Sequence, residues 1–185
     1  MTTIRLVAAL GLLFTVQVAN AQDQGIRSEL ERSASTSDEE KLDYADTAQS
    51  EIGDTLRDAT KMLEAARRDG DADRVQCLTS RLTSVRALQV VTDGASNAMR
   101  GAIENGQADK ADHEFRKIAV ALGKTRMLAA EAQQCDAGAT VQPGETLIEL
   151  LSELVSDEEA QGLLEQLELD QLDFGMDPPN VSPLL

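Results

Sequence analysis

Apolar positions recur at steps of three and four along most of this chain, the spacing of an amphipathic helix. Leu42, Ala45, Ile52, Leu56, Ala59, Leu63 and Ala66 form the most regular series, with Gln49 its single polar member. Ser37-Asp38-Glu39-Glu40 supplies a start signal, because the Ser37 hydroxyl can accept a backbone N–H three residues on while Glu40 reaches back. Asp69-Gly70 supplies the stop, with glycine available for the left-handed closing position. These signals predict a helix over 38–69. A second stripe, Val75, Leu78, Leu82, Val85, Leu88, Val91, Ala95, Ala98 and Ala102, predicts a helix over 71–105. Interior glycines cost about 1 kcal/mol each against alanine, so Gly94 and Gly101 weaken it, and a break near Gly94 is an alternative.

Asn105-Gly106 reads as a turn, and Asp109 as the cap of a third helix over 108–135. Its stripe is Ala108, Ala111, Phe115, Ile118, Leu122, Thr125, Ala129 and Ala132. Three such seams bury themselves most simply against one another. The expected fold is all-α, an antiparallel three-helix bundle of long, coiled-coil-like helices over 38–135. The regular seam of the first helix, with Gln49 at a core position, would also suit a dimer.

The ends of the chain read differently. Arg5, an apolar run from Leu6 to Val18 and the small residues Ala19-Asn20-Ala21 have the order of a secretory signal, expected to be cut after Ala21. The apolar run is too short for the roughly 20 residues of a membrane-spanning helix. Residues 22–37 are polar and read as a mobile linker. Residues 136–172 form an acidic amphipathic tail, in which Ser156-Asp157-Glu158-Glu159 repeats the start signal of the first helix. Leu147, Leu150, Leu151 and Leu154, then Leu163, Leu164 and Leu167, mark two short helices, and a short strand through Thr146 to Leu151 is the alternative for the first. These leucines are the candidate interaction surface, against the bundle as a fourth wall or against a partner. Gly175, Pro178, Pro179 and Pro183 predict disorder over 173–185.

An exported chain meets an oxidising compartment, where Cys77 and Cys135, the only cysteines, are expected to pair. Spacing agrees. Cys77 precedes Asn105 by 28 residues and Cys135 follows Gln107 by 28, so a hairpin turning at Gly106 brings them level. Neither belongs to a Cys-x-x-Cys element, and structural zinc wants four Cys or His ligands.

The segments Arg74-x-x-Cys77-Leu78-x-x-x-Leu82, His113-Glu114-Phe115-x-Lys117-Ile118 and Glu131-Ala132-x-x-Cys135 resemble small exported helical two-cysteine proteins of unknown function found in myxobacteria and related bacteria. The resemblance implies export and helical architecture and transfers no catalytic residue.

Charge locates the remaining chemistry. Of 33 acids and 17 bases, residues 70–135 hold eight acids and nine bases, whereas residues 136–185 hold twelve acids and no base. Such a tail repels nucleic acid and anionic membranes, so neither is expected as a partner, and no membrane span is expected. With one His, one Tyr, three Phe and no Trp, the chain lacks the usual material of a catalytic site. No Gly-x-Ser-x-Gly element or phosphate-binding loop is present, and neither enzymatic activity nor a cofactor is expected. Asp109 and His113, one helical turn apart, are weak candidates for a metal. Asp157, Glu158 and Glu159 suggest weak calcium binding as an alternative function, without EF-hand spacing. The expected role is non-catalytic: binding or structural, in the periplasm or secreted, through a protein partner or self-association.

Overall fold

The computed structural model describes residues 36–138, 147–156 and 158–165. Among them every regular element is a helix: α1 (Asp38–Asp69), α2 (Ala72–Glu104), α3 (Ala108–Asp136), α4 (Leu147–Ser152) and α5 (158–165). The expected signal, most of the linker, Leu167 and the C-terminal segment lie outside the described residues.

Local chemistry sets the ends of α1 as the sequence reads. The Ser37 hydroxyl accepts from the Glu40 N–H at 3.3 Å, and Glu40 accepts from the Ser37 N–H at 2.9 Å. The Ser37 N–H, together with the Ser37 hydroxyl, which donates to the same carboxylate at 2.8 Å, holds the Glu40 carboxyl below its ordinary range. Gly70 closes the helix at φ 72°, in the region that favours glycine. Asp71 then caps α2, accepting from the Arg74 N–H at 3.0 Å. For α3 the sequence reading is corrected. Its cap position is Gln107, which makes no side-chain capping bond, and Asp109 sits inside the first turn, where an acid still meets the favourable end of the helix dipole.

The break considered at Gly94 is absent, since α2 runs unbroken through both of its glycines. The reason is tertiary. Val91, Thr92, Ala95 and Ser96 are buried on either side of Gly94, and Asp93 accepts a hydrogen bond from Gln49 at 2.7 Å, so packing outweighs the glycine penalty. The strand alternative at Thr146–Leu151 also falls, because Leu147–Ser152 is helical.

α1, α2 and α3 pack pairwise as a helical bundle. One core group holds Ala45, Ile52, Val85, Met99, Phe115, Ile118 and Leu122, with the Tyr44 ring 5.1 Å from that of Phe115. A second, with Ala59, Leu63, Leu78, Leu82 and Ala132, ends at the disulfide. Cys77 and Cys135 are bonded, with Cα atoms 5.8 Å apart. The seams are wider than the sequence stripes. Thr92, Ser96, Met99, Ala119 and Ala121 are buried, while Ala108 is exposed and Ala98 and Ala129 are half-buried. α2 meets α1, α3 and α4, so a single narrow stripe cannot cover its contacts.

Ion pairs tie the long helices together at their edges. Arg126 makes two bonds to the Glu51 carboxylate, at 2.7 and 2.8 Å, and Arg100 bonds Asp46. Lys41, buried at the start of α1, lies 2.6 Å from Asp112 and 3.4 Å from Asp38. Burial pulls its ammonium pKa down, but Asp112 and Asp38 together outweigh this and raise it. The Arg126 guanidinium holds the Glu51 carboxyl below its ordinary value.

Candidate functional site

α4 has six residues, well short of the roughly 12–15 an isolated helix needs in water, so its existence depends on what it packs against. Leu150, Leu151, Leu154 and Ala160 are buried against Ala87, Leu88 and Val91 of α2 and Ala121 of α3. Leu147, Val155, Leu163 and Leu164 of the tail, with Val120 and Leu128 of α3, are half-buried against the same cluster. A fully buried leucine contributes about 1.5–3 kcal/mol, and Leu151 is 0% exposed. Apolar burial therefore holds α4 and α5 in place against their loss of chain entropy.

The turn between the tail helices is locally encoded. The Leu154 and Val155 N–H groups both donate to the Leu151 carbonyl, at 2.9 and 3.0 Å. The Ser156 hydroxyl accepts from the Glu159 N–H at 3.4 Å, as the repeated start signal leads one to expect.

Polar pairs edge this seam. Lys124 of α3 meets Glu153 of the tail at 2.9 Å, and Arg81 of α2 meets Glu131 of α3 at 2.6 Å. Between them lies a recess of about 90 Å³ lined by Ser84, Lys124, Met127, Leu128, Glu131 and Leu150. The charges of Lys124 and Glu131 are paired, and the Ser84 hydroxyl donates to the Ser80 carbonyl at 3.3 Å. Met127, Leu128 and Leu150 are left as the contact surface, so the recess suits an apolar group. At 43% exposure, Met127 is the one exposed large hydrophobic side chain among the described residues.

The structure thus gathers six of the seven candidate leucines on one face of the bundle: Leu147, Leu150, Leu151, Leu154, Leu163 and Leu164. The weak metal candidates stand apart from that face. Asp109 and His113 are exposed near the start of α3, and among the described residues no group of three or more His, Cys, Asp or Glu is placed to hold a metal. Glu158 and Glu159 are exposed, and Asp157 lies outside the described residues.

Sequence reasoning missed Ser84, Lys124, Met127, Glu131 and Glu153. A signal for two of them exists. Ala121, Lys124, Leu128 and Glu131 repeat at three-four spacing beside the main stripe of α3, a second contact face hidden by its polar members. Comparison of the chain with protein-family models, with curated proteins and with solved structures finds no match.

Proposed function

We propose that the chain is an exported, non-catalytic binding or structural protein of the cell envelope, cut after Ala21, whose working element is the seam between bundle and acidic tail. The observation that carries this reading is the docking of Leu150, Leu151 and Leu154 on α2 and α3. A helix too short to persist alone, held by a few leucines, belongs to the low-stability end of a structure, from which binding elements are drawn.

Other features support the rest of the proposal. An antiparallel arrangement of the three long helices is supported by the pairing of Gln49 with Asp93 and Asp46 with Arg100 between α1 and α2, and of Arg81 with Glu131 and Arg74 with Asp136 between α2 and α3. The Cys77–Cys135 bond suits an oxidising compartment. No helix among the described residues is long and apolar enough to cross a membrane. The resemblance to exported two-cysteine proteins points the same way.

Affinity capture from an envelope fraction with the chain carrying or lacking residues 145–185 tests the proposal. A bound set that changes supports a functional tail seam, and an unchanged set removes it. Titration with millimolar calcium and zinc, followed by helicity and melting temperature, tests the cation-binding alternative, which requires a shift in one of them.

A further inference from the structure

The proposed binding role leaves open which half of the seam is the receptor, and the seam itself contains an asymmetry. The tail fills its groove completely at Leu151, which is 0% exposed, but beside Leu150 it leaves the recess of about 90 Å³ over Met127 and Leu128. A well-packed, permanent interface leaves few such gaps, because an unfilled edge forfeits contacts on one side. One ion pair crosses the seam, between Lys124 of the groove and Glu153 of the tail. The groove is built on the nearly neutral segment 70–135, with Lys124 at its edge, whereas the segment it binds carries only acids.

Resting on the proposed function, we infer that the α2–α3 face beneath the tail is a receptor groove for an acidic amphipathic helix of another protein. That helix displaces α4 and α5 and carries a residue bulkier than leucine, such as phenylalanine, at the place of Leu150. The tail is the built-in competitor. As a segment of the same chain, it presents itself at an effective concentration of the order of millimolar. An outside helix therefore gains access by fitting better, and the recess is where a better fit is available. Lys124 supplies the polar selection, pairing with a carboxylate one turn from the anchor as it pairs with Glu153.

The test uses the oxidised full-length mature chain and fluorescein-labelled peptides spanning 145–168, one with the native sequence and one with Leu150→Phe, read by fluorescence anisotropy. Three chains are compared: the parent, Leu151→Asp/Leu154→Asp, whose tail cannot dock, and Glu153→Lys, whose tail is repelled by Lys124. The expected result is at least tenfold tighter binding of both peptides to the Leu151→Asp/Leu154→Asp chain than to the parent, and about threefold tighter binding to the Glu153→Lys chain, where only one ion pair, exposed at Glu153, is reversed. The Leu150→Phe peptide should bind several-fold tighter than the native one, and Lys124→Glu, added to the Leu151→Asp/Leu154→Asp chain so that no docked tail competes, should weaken both by threefold or more. Glu153→Lys changes only an exposed position, so it keeps the test valid if the double aspartate variant misfolds. Equal binding to all chains, or none to any, overturns the receptor groove. A captured set that is lost with residues 145–185, together with no peptide binding, would leave the proposed function standing and assign partner contact to the tail itself.

Discussion

Thr92 and Ser96 lie one turn apart on α2, 0% and 1% exposed, and neither hydroxyl makes a hydrogen bond. A buried polar group without a partner costs about 1–3 kcal/mol, and a shape-matched apolar replacement removes that cost. Thr92→Val should therefore stabilise the chain by about 1 kcal/mol, read as a higher urea midpoint with an unchanged slope; a lower midpoint would mean that the hydroxyl is satisfied in solution. The Glu51–Arg126 pair predicts a pH dependence. Its carboxyl is lowered by the Arg126 hydrogen bonds, so its contribution is complete above the ordinary glutamate value of about 4.3 and lost as pH falls through the lowered folded value. Because Glu51 is partly exposed, the contribution is at most about 1 kcal/mol. The stability difference between parent and Glu51→Gln should accordingly be present at pH 7 and vanish near pH 2. Raised Lys41 acts in the opposite window: its contribution is complete below about pH 10.4 and lost as pH rises through the folded value.

Among the helices, α2 bears the most contacts and the least favourable interior residues. Gly94 is exposed on an unbroken helix, and a Cβ added there would meet nothing within 4 Å. Gly94→Ala should add about 1 kcal/mol of stability and leave the fold unchanged, checked by thermal denaturation. Gly70 behaves differently: at φ 72° an alanine is strained despite open space, so the same substitution there is destabilising. Legibility at this scale followed the range of the interactions. The caps of α1, the start of α2 and the Ser156 turn were readable because each is closed by groups within four residues. The width of the seams was not, because burial of Thr92, Ser96 and Ala121 depends on helices contributed from elsewhere in the chain.

For the whole molecule, the disulfide and the tail divide the stabilising contacts between two ends. The Cys77–Cys135 bond closes a loop of 58 residues beside the core group containing Leu63, Leu78 and Leu82. On the chain-entropy model such a loop is worth about 4 kcal/mol. The double variant Cys77→Ser/Cys135→Ser should lose stability on that scale in chemical denaturation. Hydrogen exchange should show the loss spread over α2 and α3 instead of confined to the tail. The pairing of the cysteines, the three long helices and the amphipathic nature of the tail were determined by the sequence alone, because each rests on local periodicity, short-range caps or equal spacing about one turn. Tertiary structure decided that α2 continues through Gly94, that the leucines lie against the chain's own bundle, and that Lys124, Glu131 and Met127 border an incompletely filled recess. Those outcomes depend on the shapes of faces assembled from residues tens of positions apart, and no local pattern along one helix specifies how closely two such faces fit.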